Sequence, residues 1–144
     1  MTLQNLLAIR RLQTHRVDPA ALLKLLEAAR RNLADSHIDV VSDENRFDAA
    51  YKCIMQCAML GLWVHGYRTA TSQPGHHQTA IQSLVLTMDV PQADVIVLDA
   101  LRRQRNVSDY EGDPVTVAAR AACAEQAIRL LARTESLLER KRAG

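Results

Sequence analysis

At 144 residues with a formal charge of +2, the chain is sized for one domain and is too nearly balanced to name a polyanionic partner. Its 48% hydrophobic and 24% charged residues exclude a disordered chain, and five glycines and four prolines are too few for an all-β sandwich. Aromatic residues at 3% count against a base-stacking platform of the RRM or OB kind.

The first residues, Met1 to Ile9, are interrupted by polar side chains and followed by Arg10 and Arg11, the reverse of a secretory leader. Nothing approaches the ~18 continuous apolar residues of a membrane span, so the expected setting is the cytoplasm, away from the membrane. Leu3, Leu6, Leu7 and Ile9 predict a short extra helix docked on the rest of the chain or on a partner subunit. Residues 1–15 thus read as an N-terminal extension and 16–144 as a helical bundle.

Helix starts are well marked. Asp18-Pro19 sets an N-cap acceptor before a proline, and Leu22, Leu25, Leu26, Ala29 and Leu33 give an apolar stripe over 19–36. Ser42 caps a helix over 43–65 whose first turn holds Asp43 and Glu44, with Gly66 as its stop. Residues 67–75 read as a loop and 76–88 as a short helix. Pro91 opens a helix over 91–109. Its Val95-Ile96-Val97-Leu98 run is strand-like, but a lone strand has nothing to pair with. Asp113-Pro114 repeats the cap arrangement before a long helix over 114–141. Long helices on short loops predict an all-α antiparallel bundle.

Chemistry-bearing residues are few. Cys53, Cys57 and Cys123 are an odd count in apolar helical stretches and read as reduced, buried thiols. Cys53 and Cys57 share a helix face, but zinc sites need a second close pair, so neither a metal nor a cofactor is expected. His76 and His77 read as capping and loop-packing residues. The segment Arg102-Arg103-Gln104-Arg105-Asn106-Val107-Ser108-Asp109-Tyr110 is the most unusual one, with three arginines in one helical turn. Guanidinium groups fit phosphates bidentately. The plainer explanation is a solvated helix end with an Arg105–Asp109 pair.

Three stretches resemble the HEPN family of helical proteins. Asp43 to Tyr51 resembles the start of that family's second helix. Gly66-Tyr67-Arg68 with Gly75-His76-His77 resembles its helix–loop–helix junction, and Arg105 to Tyr110 resembles its signature of an arginine and a polar residue followed by a histidine. The resemblance runs over about residues 19–140 in helix order. It implies an antiparallel bundle of four or five helices and a homodimer whose two signatures meet in one cleft, with RNA or nucleotide contacts through Arg102, Arg103, Arg105, Asn106 and Tyr110. If the chain is an enzyme, it implies a metal-independent ribonuclease with Arg105 and Tyr110 as its catalytic residues. Tyr110 stands where the family has histidine. A phenol of reference pKa near ~10 is a poor acid–base group at neutral pH, so the resemblance implies a noncatalytic RNA- or nucleotide-binding module. The alternatives are a ribonuclease toxin with a substituted active site, which would imply a nucleotidyltransferase antitoxin as partner, and an adaptor bundle without ligand.

Overall fold

The computed structural model describes residues 1–143; Gly144, the last residue of the expected bundle, lies outside them. The chain runs α1 (Leu3–Ala8), β1 (Leu12–Thr14), α2 (Pro19–Asp35), α3 (Asp43–Val64), β2 (Tyr67–Thr69), α4 (His76–Gln82), α5 (Leu84–Met88), α6 (Gln92–Glu111) and α7 (Val117–Ala143). It is an all-α helical bundle with 73% helix and 4% strand.

The centre is α3. Its apolar residues are not confined to one stripe: Phe47, Ala50, Tyr51, Cys53, Ile54, Cys57, Ala58, Leu60 and Leu62 are all buried, as befits a helix surrounded by others. It packs against α2, α7, α4, α5, α6 and β2. Gly61 lets α5 approach closely, because a Cβ there would stand 2.7 Å from Thr87 Oγ1. The start of α3 follows the sequence closely. Ser42 accepts a hydrogen bond from Asn45 N at 3.2 Å, and Asp43 and Glu44 lie at the positive end of the helix dipole. At its other end Gly66 takes φ +87°, a left-handed conformation in which glycine carries no Cβ penalty.

The Asp18-Pro19 signal also holds, with Ala21 N donating to Asp18 Oδ1 at 2.8 Å. Asp113-Pro114 does not start a helix. The last helix begins three residues later, where Ala119 N donates to Thr116 Oγ1 at 3.0 Å. The intervening segment is held across α3 instead: Val115 is buried, its N–H donates to Glu44 Oε2, and Arg120 Nε donates to Asp43 Oδ1. Residues 95–98 are helical, with Val95 and Leu98 buried and Ile96 and Val97 exposed. The helix expected over 76–88 is two short ones meeting at Ser83, whose hydroxyl donates to Ala80 O at 2.7 Å.

The N-terminal segment differs most from expectation. Its short helix is present, closed by a capping box between Thr2 and Asn5. Beyond it Arg10 turns the chain at φ +63°, and β1 pairs antiparallel with β2, Gln13 opposite Arg68. Part of the expected 67–75 loop is therefore the second strand of a ribbon. Strands of three residues are too short to show an alternating pattern.

Candidate functional site

Arg105 lies at the meeting of α3, α4 and α6. Its guanidinium carbon stands 5.4 Å from the centre of the Tyr51 ring, a cation–π arrangement. Arg105 Nε lies 2.8 Å from Asp109 Oδ2 and 3.6 Å from Asp48 Oδ1. The first contact is not aligned with the N–H bond and the second is too long for a hydrogen bond. Arg105 Nε and Asp48 Oδ1 are consequently buried without a hydrogen bond. The rest of the Arg105 side chain remains 24% exposed.

Tyr51 ties the arginine to α4. Its hydroxyl and His77 Nδ1 are 3.3 Å apart, and His77 meets the His76 ring edge-on at 4.7 Å. Burial pushes the Tyr51 phenol up to about 12, against the pull of Arg105 and Arg102. Burial lowers the pKa of His77, and the charges of His76, Arg105 and Arg102 lower it further. At neutral pH the phenol therefore keeps its proton and faces a largely uncharged imidazole, so the contact is a neutral hydrogen bond between the two.

The remaining α6 arginines are also matched with carboxylates. Arg102 Nε donates to Asp99 Oδ1 at 2.9 Å, and Arg103 Nε lies 3.6 Å from Asp99 Oδ2. Three arginines thus face three aspartates, Asp48, Asp99 and Asp109. The expected Arg105–Asp109 pair is present, with Asp48 as a second partner contributed by α3.

Of the residues singled out from sequence, Arg102 and Arg105 come together at this corner, and Arg103 shares Asp99 with Arg102. Asn106 is half-buried one residue further on. Tyr110 is 81% exposed and has no hydrogen bond or aromatic contact among the described residues. Five residues along a helix is a rotation of about 140° from Arg105, so the tyrosine beneath the arginine is Tyr51. Sequence reasoning missed Tyr51 and Asp48, and it read His77 as capping or loop packing, whereas α4 has no side-chain cap and His77 faces Tyr51. Tyr51 and His77 are 26 residues apart, and only folding brings them together.

Cys53, Cys57 and Cys123 are free and buried. Burial, with the charge of Asp48, pushes Cys123 up to about 12, and its thiol donates to Phe47 O at 3.6 Å. Among the described residues no group of three or more His, Cys, Asp or Glu side chains is placed to hold a metal ion. No described helix is long and apolar enough to cross a membrane. Compared with protein-family models, curated proteins and solved structures, the chain gives no significant match.

Proposed function

We propose that the protein is a HEPN-like homodimeric module that binds RNA or a nucleotide without cleaving it, through Arg102, Arg103 and Arg105 with help from Asn106 and Tyr110. The observation that carries this reading is Arg105 itself. It is held over Tyr51 between two carboxylates, with Nε unsatisfied and a quarter of its side chain still open to solvent. A guanidinium has five N–H donors in a fixed fork, so donors remain for a phosphate after the carboxylates are met. Asp48 and Asp109 fix its orientation. The largely exposed Tyr110 ring offers a stacking face at the same helix end. A homodimer would set two such ends side by side, which is the arrangement that the family resemblance implies.

One observation favours the ribonuclease alternative. His77 is an uncharged imidazole at neutral pH and is joined through Tyr51 to the arginine. It would supply the acid–base group that the signature lacks, and in that case a nucleotidyltransferase antitoxin is the implied partner. RNA binding and cleavage, measured side by side for the native protein, Arg105→Ala, Tyr110→Phe and His77→Gln, decide between them. The module reading predicts weaker binding for Arg105→Ala with the helical signal unchanged, and no cleavage by any form. Metal-independent cleavage that is lost in Arg105→Ala and His77→Gln overturns it in favour of the enzyme. No RNA or nucleotide binding by any form leaves the ligand-free adaptor.

A further inference from the structure

Charge is distributed far less evenly than a net +2 suggests. Residues 1–17 and 49–88 contain Arg10, Arg11, Arg16, Lys52 and Arg68 and not one aspartate or glutamate. The remaining residues hold thirteen basic against sixteen acidic side chains. Folding joins the two acid-free stretches, because β1 pairs with β2, His15 N donates to Gly66 O, and Ala70 N donates to Arg11 O. Buried Leu12 marks the inner face of this ribbon. Gln13 and Arg68 stand opposite each other in the pairing and share the other face, where Arg68 Nε donates to Gln13 Oε1 at 3.1 Å, and Arg11 and His15 flank β1. Arg10, Arg11, Arg16 and Arg68 are all exposed, and among the described residues none is paired with a carboxylate. Asp18, the nearest acid in sequence, is engaged in capping α2.

Beside these arginines the ribbon edge opens into a cleft of about 170 Å³ lined by Met59, Leu62 and Trp63 together with His15, Arg68, Thr69 and Thr71. The His15 and Trp63 rings are 5.1 Å apart at a tilt of 51°. The volume is well below the roughly 300–1,000 Å³ of a drug-sized site and suits one planar ring. The face also continues toward the Arg105 corner, since Arg11 Nη1 stands at Gly75, next to His76 and His77.

We infer that the outer face of the β1–β2 ribbon binds single-stranded nucleic acid, with one unstacked base in the Trp63 cleft and the backbone phosphates on Arg11 and Arg68. This deepens the nucleic-acid reading above and rests on it, while using different residues. Unpaired arginines attract phosphate without first giving up a carboxylate. Trp63 supplies a ring face for any base, and the Thr69 and Thr71 hydroxyls can donate to or accept from its edge. One aromatic slot is compatible with a chain too poor in aromatics to build a stacking platform. A duplex keeps its bases stacked and offers none to the cleft, so a single strand is the fitting ligand. The recess offers Met59, Leu62 and Trp63 to a ring face and is a concavity, not the protruding apolar wedge that a lipid surface engages, so a base is the fitting occupant.

The test uses the whole protein, a short fluorescein-labelled single-stranded RNA of mixed sequence, and the emission of Trp63, the chain's one tryptophan. The inference predicts saturable binding that quenches Trp63, weaker binding of the same sequence as a duplex, and about tenfold weaker binding by Trp63→Leu. The double variant Arg11→Gln/Arg68→Gln, altered only at exposed positions, is expected to lower the slope of log affinity against log salt by about 0.7 per residue removed. Unchanged binding and slope in that variant overturn the inference, as does binding without quenching. No RNA binding, or association only with vesicles of anionic lipid, overturns it too. Arg105→Ala separates it from the reading on which it rests. Binding lost in Arg105→Ala but kept in both ribbon variants leaves the α6 reading standing and removes this one, and the opposite pattern does the reverse.

Discussion

The molecule has two arginine-bearing regions that solve opposite problems. On α6, Arg102, Arg103 and Arg105 sit among Asp48, Asp99 and Asp109, and their charge is largely answered within the fold. On the ribbon, Arg10, Arg11, Arg16 and Arg68 stand on chain segments free of acid. A guanidinium half-withdrawn from water needs a carboxylate nearby, whereas one in full contact with water needs none. The α6 group is therefore ordered and sets geometry. The ribbon group is open and sets the electrostatic field. A local sequence window registers α6 as the basic feature because its arginines are adjacent. The folded charge distribution makes the ribbon the more positive face.

Breaking the ordered region costs most. Tyr51→Ala removes a buried ring shared by Arg105 and His77, and is expected to lower stability by about 3–5 kcal/mol in denaturant unfolding. Tyr51→Phe keeps the ring and loses only the hydroxyl contact to His77, for about 0.5–1.5 kcal/mol. Asp48→Ala leaves Arg105 and Lys52 with one partner fewer. The groups are partly solvated, so about 1–2 kcal/mol is expected, below the cost of breaking a fully buried pair.

His77 sharpens the contrast through pH. Its folded pKa is lowered, so below the unfolded value near ~6.5 the unfolded chain binds more protons than the folded one. Its contribution is complete above that pH and is lost as the pH falls below it. Thermal unfolding of the native protein should weaken over that interval more steeply than that of His77→Gln. The smallest effect belongs to the open region: Arg68→Ala should change stability by no more than ~0.5 kcal/mol, because the side chain is exposed and its one hydrogen bond is to Gln13.

Much of the helical frame was legible in the sequence because caps and stripes are local signals. Asp18-Pro19 and Ser42 each announce a helix that the structure starts at that place. Asp113-Pro114 carries the same signal and fails, since packing of Val115 and its hydrogen bond to Glu44 hold the chain out of helix until Thr116 caps the next one. The ribbon was not legible, because Leu12–Thr14 and Tyr67–Thr69 are each three residues long and their partnership crosses the whole of α2 and α3. The candidate site divides in the same way. The run of α6 arginines and the Arg105–Asp109 pair follow from helical spacing. Asp48, Tyr51 and His77 reach the arginine from other elements, and no spacing rule predicts that.

The distinction between paired and open arginines is tested most directly by the salt dependence of single-stranded RNA binding, compared for Arg102→Gln/Arg105→Gln and Arg11→Gln/Arg68→Gln. Arginines already matched by carboxylates displace few counterions, so the α6 pair should lower affinity and leave the salt slope nearly as steep as in the native protein. The open pair should flatten it by about 0.7 per residue. A slope flattened by the α6 variant and unchanged by the ribbon variant would contradict this account.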